Sequence, residues 1–436
     1  MFLVTDERAP WAFHLMAKPT GSVCNLACRY CFYLCKDTLY PDSHFQMTDE
    51  LLESYIRQLI ESHPTNEVTV SWQGGEPTLM GLDFYRRSVK IQKKYQTPQM
   101  RIQNTFQTNG VLLDDEWCEF FHKHDFLVGL SLDGPKKYHD AYRKDKHGSP
   151  TFERVLRGAH LLAKHHVDFN VLTAIHAANV DYPLEVYRFL RDKVGAQFIQ
   201  FIPIIEIKKE MEGHKAYTVS GRSVNAKSYG RFLTTIFDEW VRKDVGCVFI
   251  QSFDVALEKW FGAPPSLCIF APHCGTAPIM EHNGDVYVCD HFVETKYLLG
   301  NIKQTPITAL ITSDTLGKFG REKQDRLPQY CRDCDVLFAC NGECPKNRFI
   351  QAPDGEAGLN YLCAGYQLFF HHINRPMRIM AELLSRNVAP ASIMKVLREE
   401  DLSRAFAKTK RNELCPCNSG KKFKHCHGKN KLSQAL

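Results

Sequence analysis

Residues 22–35 read SVCNLACRYCFYLC, placing Cys24, Cys28, Cys31 and Cys35 within twelve positions. Three thiolates at C-x3-C-x2-C spacing can hold three irons of a 4Fe–4S cluster and leave the fourth iron without a protein ligand. An ordinary electron-transfer cluster has four cysteine ligands, so Cys35 is the residue on which the chemistry turns. If Cys35 binds, the cluster is closed and only passes electrons. If it does not, one iron is open to a substrate or cofactor. Eight further cysteines, at 268, 274, 289, 331, 334, 340, 344 and 363, make two complete sets of four. Iron–sulfur clusters and four-thiolate zinc sites both satisfy that count. In the tail, CPCNSGKKFKHCHG supplies Cys415, Cys417, Cys426 and His427, a donor set suited to tetrahedral zinc.

The chain has 436 residues, 44% hydrophobic and 24% charged, which suits a globular protein of two or three domains. Asp6, Glu7 and Arg8 interrupt any leader-like apolar run, and no stretch is long and apolar enough for a membrane span. These features predict a cytoplasmic protein with no membrane partner. Seventeen cysteines in such a compartment point to thiolate–metal bonding rather than disulfides. Cys118, in an apolar helical pattern, reads as a core residue. The net charge of +6 is concentrated after Ala405, where eight Lys or Arg face one Glu. The rest of the chain is close to neutral, so a nucleic-acid footprint is not expected on the body.

The elements that must position these residues follow a simple rhythm. Apolar strand patterns at 12–17, 67–72, 101–107, 127–132, 169–175 and 197–205 each precede a helical pattern, at 48–62, 83–96, 114–124, 151–166, 181–193 and 226–243. Six βα units predict an α/β fold with a parallel sheet, either an open sheet or a curved partial barrel. Thr48 and Asp181 are candidate N-caps. Cys24, Cys28 and Cys31 follow the first strand, Gly74-Gly75-Glu76-Pro77 the second and Thr108-Asn109-Gly110 the third, while Ser131 to Gly134 closes the fourth. All fall at carboxyl ends of parallel strands, the rim where α/β sites are built. After about residue 245 the rhythm breaks. Asn283-Gly284 predicts a hairpin over 280–288 that delivers Cys289 and Asp290. The expected divisions are 1–245, 246–375, a helical linker at 376–410 and a small module at 411–436.

The run from Cys24 to Cys31, with Tyr30 before the third cysteine, resembles the signature of radical S-adenosylmethionine (SAM) enzymes. That resemblance implies a partial (β/α)6 barrel in which SAM chelates the open iron and is cleaved to a 5′-deoxyadenosyl radical. It implies SAM-binding roles for Tyr30, for Gly74, Gly75 and Glu76, for Ser131 and Arg143 at the ribose and carboxylate, and for Ile205 at the adenine. Gln73 would sit near the reacting carbon. A Gly-Gly-Glu-Pro run is otherwise a common turn, and its meaning here comes from its place after strand two. The second cysteine region resembles the SPASM extension, in which the ligand sets interleave. Cys268, Cys274, Cys289 and Cys344 would hold one auxiliary cluster, and Cys331, Cys334, Cys340 and Cys363 another. The tail resembles the SEC-C zinc motif, to which Lys421, Lys422 and Lys424 add a basic loop; lysines there can equally serve solubility.

VYVCDHF, FQTNG, SLDGP and FIP are similar to stretches of the anaerobic sulfatase-maturating enzymes, over residues 10 to 375. The resemblance implies oxidation of a Cys or Ser side chain of a sulfatase to formylglycine, with Asp290 as the base. It implies three 4Fe–4S clusters, SAM and a reduced flavodoxin- or ferredoxin-type electron donor, with zinc in the tail. A SPASM enzyme that cross-links a peptide through a thioether would share the first steps. A metal-stabilised adaptor binding acidic partners through its tail is the reading without catalysis.

Overall fold

Six parallel strands organise the molecule: β1 (Met16–Lys18), β2 (Glu67–Trp72), β3 (Arg101–Thr108), β4 (Phe126–Ser131), β5 (Phe169–Ile175) and β6 (Phe198–Pro203). They lie side by side in chain order, each parallel to the next. The computed structural model describes residues 12–208 and 218–429. The charged residues read at positions 6–8 lie outside them. Outside the curved sheet run α1 (Asp49–Ser62), α2 (Leu82–Tyr95), α3 (Asp115–Lys123), α4 (Lys136–Tyr142), α5 (Phe152–Lys164), α6 (Pro183–Phe189), α7 (Ala226–Lys243) and α8 (Gln251–Phe261). This is the α/β partial barrel expected from the βα rhythm.

Local chemistry explains the elements. Thr48 caps α1 by accepting from the Leu51 amide at 3.3 Å. Buried Leu51, Leu52, Tyr55, Ile56, Leu59 and Ile60 then form one apolar face of α1 toward the sheet. Asp181 does not cap α6: the cap position is Tyr182, because Pro183, whose fixed φ and missing N–H suit a first helical position, starts the helix. The α4 helix was not anticipated. Its seven residues are too short for a clear periodic signal.

The sheet continues at both ends. Beside β1 lies Ile279–Glu281, in parallel register with Lys18 opposite Glu281. The hairpin predicted at Asn283-Gly284 is present, with Gly284 at φ +97° and Asp285–Tyr287 running antiparallel to the preceding strand. The cysteine-rich region is thus joined to the barrel by main-chain hydrogen bonds at β1. A second junction is helical. Cys363–Ser385 packs on α7, where Gly365 and Gly230 let the two backbones touch: a Cβ on Gly365 would lie 2.1 Å from the Ala226 carbonyl oxygen. A last helix, Ile393–Lys408, lies against α7 through buried Ile393 and Leu397. No helix among the described residues is long and apolar enough to cross a membrane.

Candidate active site and metal centres

A cavity of about 250 Å3 opens at the carboxyl ends of the barrel strands. Its wall takes Lys18 from β1, Gln73, Gly74 and Gly75 after β2, Gln107 to Asn109 from β3, Ser131 from β4, Ala174 from β5 and Ile205 just past β6. Cys24, Cys28 and Cys31 line the same cavity with Tyr30 and Arg143. Cys35 does not. It is exposed, and its thiol donates to the Phe32 carbonyl oxygen at 3.5 Å. The three-thiol set suits an open-iron cluster. Burial raises the Cys24 thiol to about 12 and the Cys28 thiol to about 11, protons that bound iron would displace.

Hydrogen bonds sort the residues read as SAM ligands. The backbone of Gly75 donates to the Gly21 carbonyl at 2.8 Å, and that of Glu76 to Val23 at 3.0 Å. A Cβ on Gly75 would meet the Val23 oxygen at 2.1 Å, so glycine is required for this turn to pack on the cysteine loop. The Glu76 side chain does not line the cavity. Its buried carboxylate accepts from Thr78 and from the Thr108 hydroxyl and Asn109 amide, both at 2.8 Å. It braces the loops after β2 and β3 and leaves the cavity wall to Gln73, Gly74 and Gly75. Gln107 donates to the Ser131 hydroxyl at 3.0 Å. The Gln73 side-chain oxygen Oε1 is buried without a hydrogen-bond partner among the described residues, and a bound polar ligand would satisfy it.

Asp133 anchors the Arg143 side. This fully buried carboxylate accepts from Arg143 Nε at 3.1 Å, from the Tyr30 hydroxyl and from the Ala174 amide. Burial works to raise its carboxyl, but Arg143 and the adjoining His176 and His139 outweigh it and hold it well below the usual range. Arg143 also lies over the Tyr30 ring, 5.6 Å from its centroid.

Asp290 lies at the end of the hairpin, paired with the Lys18 ammonium. Lys18 is 1% exposed and sits 3.9 Å from the centroid of Tyr33, whose hydroxyl donates to buried Glu281. Burial opposes ionisation of Asp290, but Lys18, His291 and Lys346 outweigh it and keep the carboxyl low. Lys18, His291 and Lys346 all reach the cavity wall.

The eight later cysteines separate in space. Cys331, Cys334, Cys340 and Cys363 line one small cavity. Cys268, Cys274, Cys289 and Cys344 influence one another. Burial dominates at Cys289, pushed up to about 12, with Cys268 and Cys274 adding to it, and Cys289 and Cys274 likewise raise Cys344. The tail brings Cys415, Cys417, Cys426 and His427 within 4.8 Å of one another, with Cys415 and Cys426 each 3.3 Å from His427 Nδ1. That geometry suits one tetrahedral zinc.

Sequence reasoning missed Lys18, Tyr33, Asp133 and Glu281. A lysine ending a buried parallel strand was the available signal for Lys18. The others become recognisable only when loops distant in sequence meet.

Family models match residues 19–190 as the Radical SAM superfamily, 274–335 as an iron-sulfur cluster-binding domain and 411–429 as the SEC-C motif. The chain is therefore a radical SAM protein with a SPASM extension. Over 406 residues it is 47% identical to a serine-type anaerobic sulfatase-maturating enzyme of Bacteroides thetaiotaomicron, covering 90% of this chain and 98% of that one. A cysteine-type enzyme of Clostridium perfringens is 34% identical, covering 82% and 95%. The structure of native anSMEcpe with bound AdoMet and Cp18Cys peptide superposes with a TM-score of 0.76 at 33% identity, over 85% of this chain and 99% of that one. The chain belongs to the anaerobic sulfatase-maturating enzymes.

Proposed function

We propose that this protein oxidises a Cys or Ser side chain of a sulfatase to formylglycine without oxygen. One observation carries this reading: the carboxylate of Asp290 is paired with Lys18, and although Asp290 does not itself line the cavity, Lys18 and the adjacent His291 line the same cavity that takes Cys24, Cys28, Cys31, Gln73, Ser131 and Arg143. When bound, a three-cysteine 4Fe–4S cluster and SAM would supply the hydrogen-abstracting radical, and two auxiliary clusters a path for electrons. Cys24, Cys28 and Cys31 would hold the first cluster, and the two sets of four the others, with Cys35 left free. Arg143, oriented by Asp133, would bind the SAM carboxylate; Ser131 its ribose, Ile205 its adenine, and the turn Gly74 to Glu76 its amino group through backbone atoms. Tyr30 would contribute from the cysteine loop.

Asp290 would take the substrate thiol or hydroxyl proton as the β-carbon loses hydrogen. Serine yields the aldehyde directly, whereas cysteine passes through a thioaldehyde that water hydrolyses. The electron supply would be a soluble flavodoxin- or ferredoxin-type carrier and the compartment the reducing cytoplasm, where free thiols persist. Zinc would occupy the tail site. The divisions 1–245, 246–375, 376–410 and 411–436 remain our working domains.

The test is anaerobic incubation with SAM, reductant and sulfatase peptides carrying Ser or Cys. A mass loss of about 2 Da from serine or about 18 Da from cysteine is expected, and Asp290→Asn should lower product formation at least about a hundredfold while SAM is still cleaved. A mass change showing a cross-link, or SAM left intact, overturns the proposal.

A further inference from the structure

The two sets of four cysteines meet at a single short bridge. Cys340 belongs to one set and Cys344 to the other, so residues 341–343 join them covalently. All three are left-handed, with φ +47° at Asn341, +69° at Gly342 and +52° at Glu343. A left-handed run that includes a glutamate needs an external support. Arg348 supplies it. Its Nε donates to the Gly342 carbonyl at 2.9 Å, and Nη2 donates to Asn341 at 2.9 Å and Glu343 at 3.1 Å. Its remaining nitrogen donates to the carbonyl of Lys323.

The partners are all neutral. Among the described residues no ion pair joins a carboxylate to Arg348 or to Lys323, whose buried ammonium donates to the carbonyls of Cys268 at 2.7 Å and Ile269 at 2.8 Å. The nearby Glu343 carboxyl is directed instead to the side chains of Asn347, at 3.1 Å, and Asn360. Arg348 therefore keeps its charge between the sulfur sets with no carboxylate in direct contact, and a guanidinium does not lose its proton there. Burial disfavours that charge, while Cys331, Cys340, the Glu343 carboxyl and Cys274, with cysteines drawn from both sets, favour it.

We propose that Arg348 tunes the two auxiliary clusters as one unit, bracing the bridge between Cys340 and Cys344 and placing a permanent positive charge that favours the reduced form of each. A cation beside a cluster stabilises the added electron, as charge and hydrogen bonding set cluster potentials generally. One electron enters with no bond made or broken, and a soluble one-electron carrier removes it. The inference rests on the reading of two auxiliary clusters given above.

The experiment is an EPR-monitored redox titration of anaerobically prepared full-length protein, following the signals that SAM does not perturb. Arg348→Met should make both auxiliary clusters harder to reduce by about tenfold, which is about 59 mV for one electron. Arg348→Lys, keeping the charge, should recover most of that shift. Unchanged potentials in Arg348→Met at full iron and sulfide content overturn the proposal. Iron loss from Arg348→Met, Arg348→Lys and Arg348→Gln alike also overturns it, reducing Arg348 to a structural brace. Fewer than two SAM-insensitive clusters in the unsubstituted protein would instead defeat the functional reading, before Arg348 is tested.

Discussion

Asp133 shows how one buried carboxylate can control a site it does not enter. It is fully buried and holds Arg143 Nε at 3.1 Å together with the Tyr30 hydroxyl, while Arg143 and not Asp133 reaches the cavity. Asp133→Asn keeps the shape and removes the charge, leaving Arg143 a buried cation without its partner. Charged hydrogen bonds of this kind are worth about 1.5–3 kcal/mol, so SAM should bind about tenfold to a hundredfold more weakly. Equilibrium dialysis with labelled SAM checks this, and the peptide KM should stay unchanged; equal SAM affinity in the variant would show that Arg143 does not need its anchor. At this scale the sequence was informative wherever a residue type announces its chemistry, as cysteine spacing does at 24, 28 and 31. It gave no role to Asp133, Lys18 or Arg348, whose importance lies in what they touch. Glu76 shows the opposite difficulty: its motif drew attention to the side chain, yet the carboxylate is occupied by Thr78, Thr108 and Asn109.

Elements were legible to the extent that local patterns determined them. The strand β2 coincides with its apolar run because one-faced burial in a sheet imposes period two, and β5 coincides with its own although its last three residues are buried on both faces. β1 is shorter than expected, three residues, since only its end pairs with both neighbours. The extra strands beyond β1 come from the region after residue 245, a long-range pairing that no local pattern encodes. The helix crossing at Gly365 is of the same kind and makes a prediction. Gly365→Ala drives a methyl toward the Ala226 carbonyl, so α7 and the Cys363 helix must separate. Overpacking of this sort costs about 1–3 kcal/mol, visible as a lower urea midpoint. Because Cys363 begins that helix, the variant should also lose about four iron atoms, one cluster's worth. Full iron at an unchanged midpoint would contradict both. In α8, burial and then Glu258 push the Asp254 carboxyl up to about 7. A folded-state value above the ordinary one means that stability is present in acid and lost as pH rises from about 4 to about 7. Asp254→Asn removes that loss, so it should be more stable than the parent by about 2 kcal/mol at pH 8 and little different at pH 4.5, measured by denaturant melts at both pH values. An advantage that does not grow with pH would rule out ionisation as its cause.

Across the whole molecule the basic tail stands apart from the chemistry. None of the residues lining the central cavity comes from the helix Ile393–Lys408 or from the zinc-type module beyond it. The module closes on itself through Cys415, Cys417, Cys426 and His427, and attaches by stacking His427 on Phe406 at 4.5 Å. The helix beneath it is fixed independently, by buried Ile393 and Leu397 and by the Arg242–Asp401 pair at 3.2 Å. Ending the chain after Lys410 therefore removes the SEC-C module without unseating α7 or the barrel. The shortened protein should bind about one zinc less while keeping its cluster iron, since the four tail donors fill one tetrahedral site. Its kcat/KM for a short sulfatase peptide should stay within about twofold of the full chain, because distant sites with no shared partners act nearly independently. Metal analysis and peptide kinetics on the two lengths decide the matter. A tenfold or larger fall in peptide turnover, with cluster iron retained, would mean that the tail reaches the catalytic cavity by a route that these contacts do not contain.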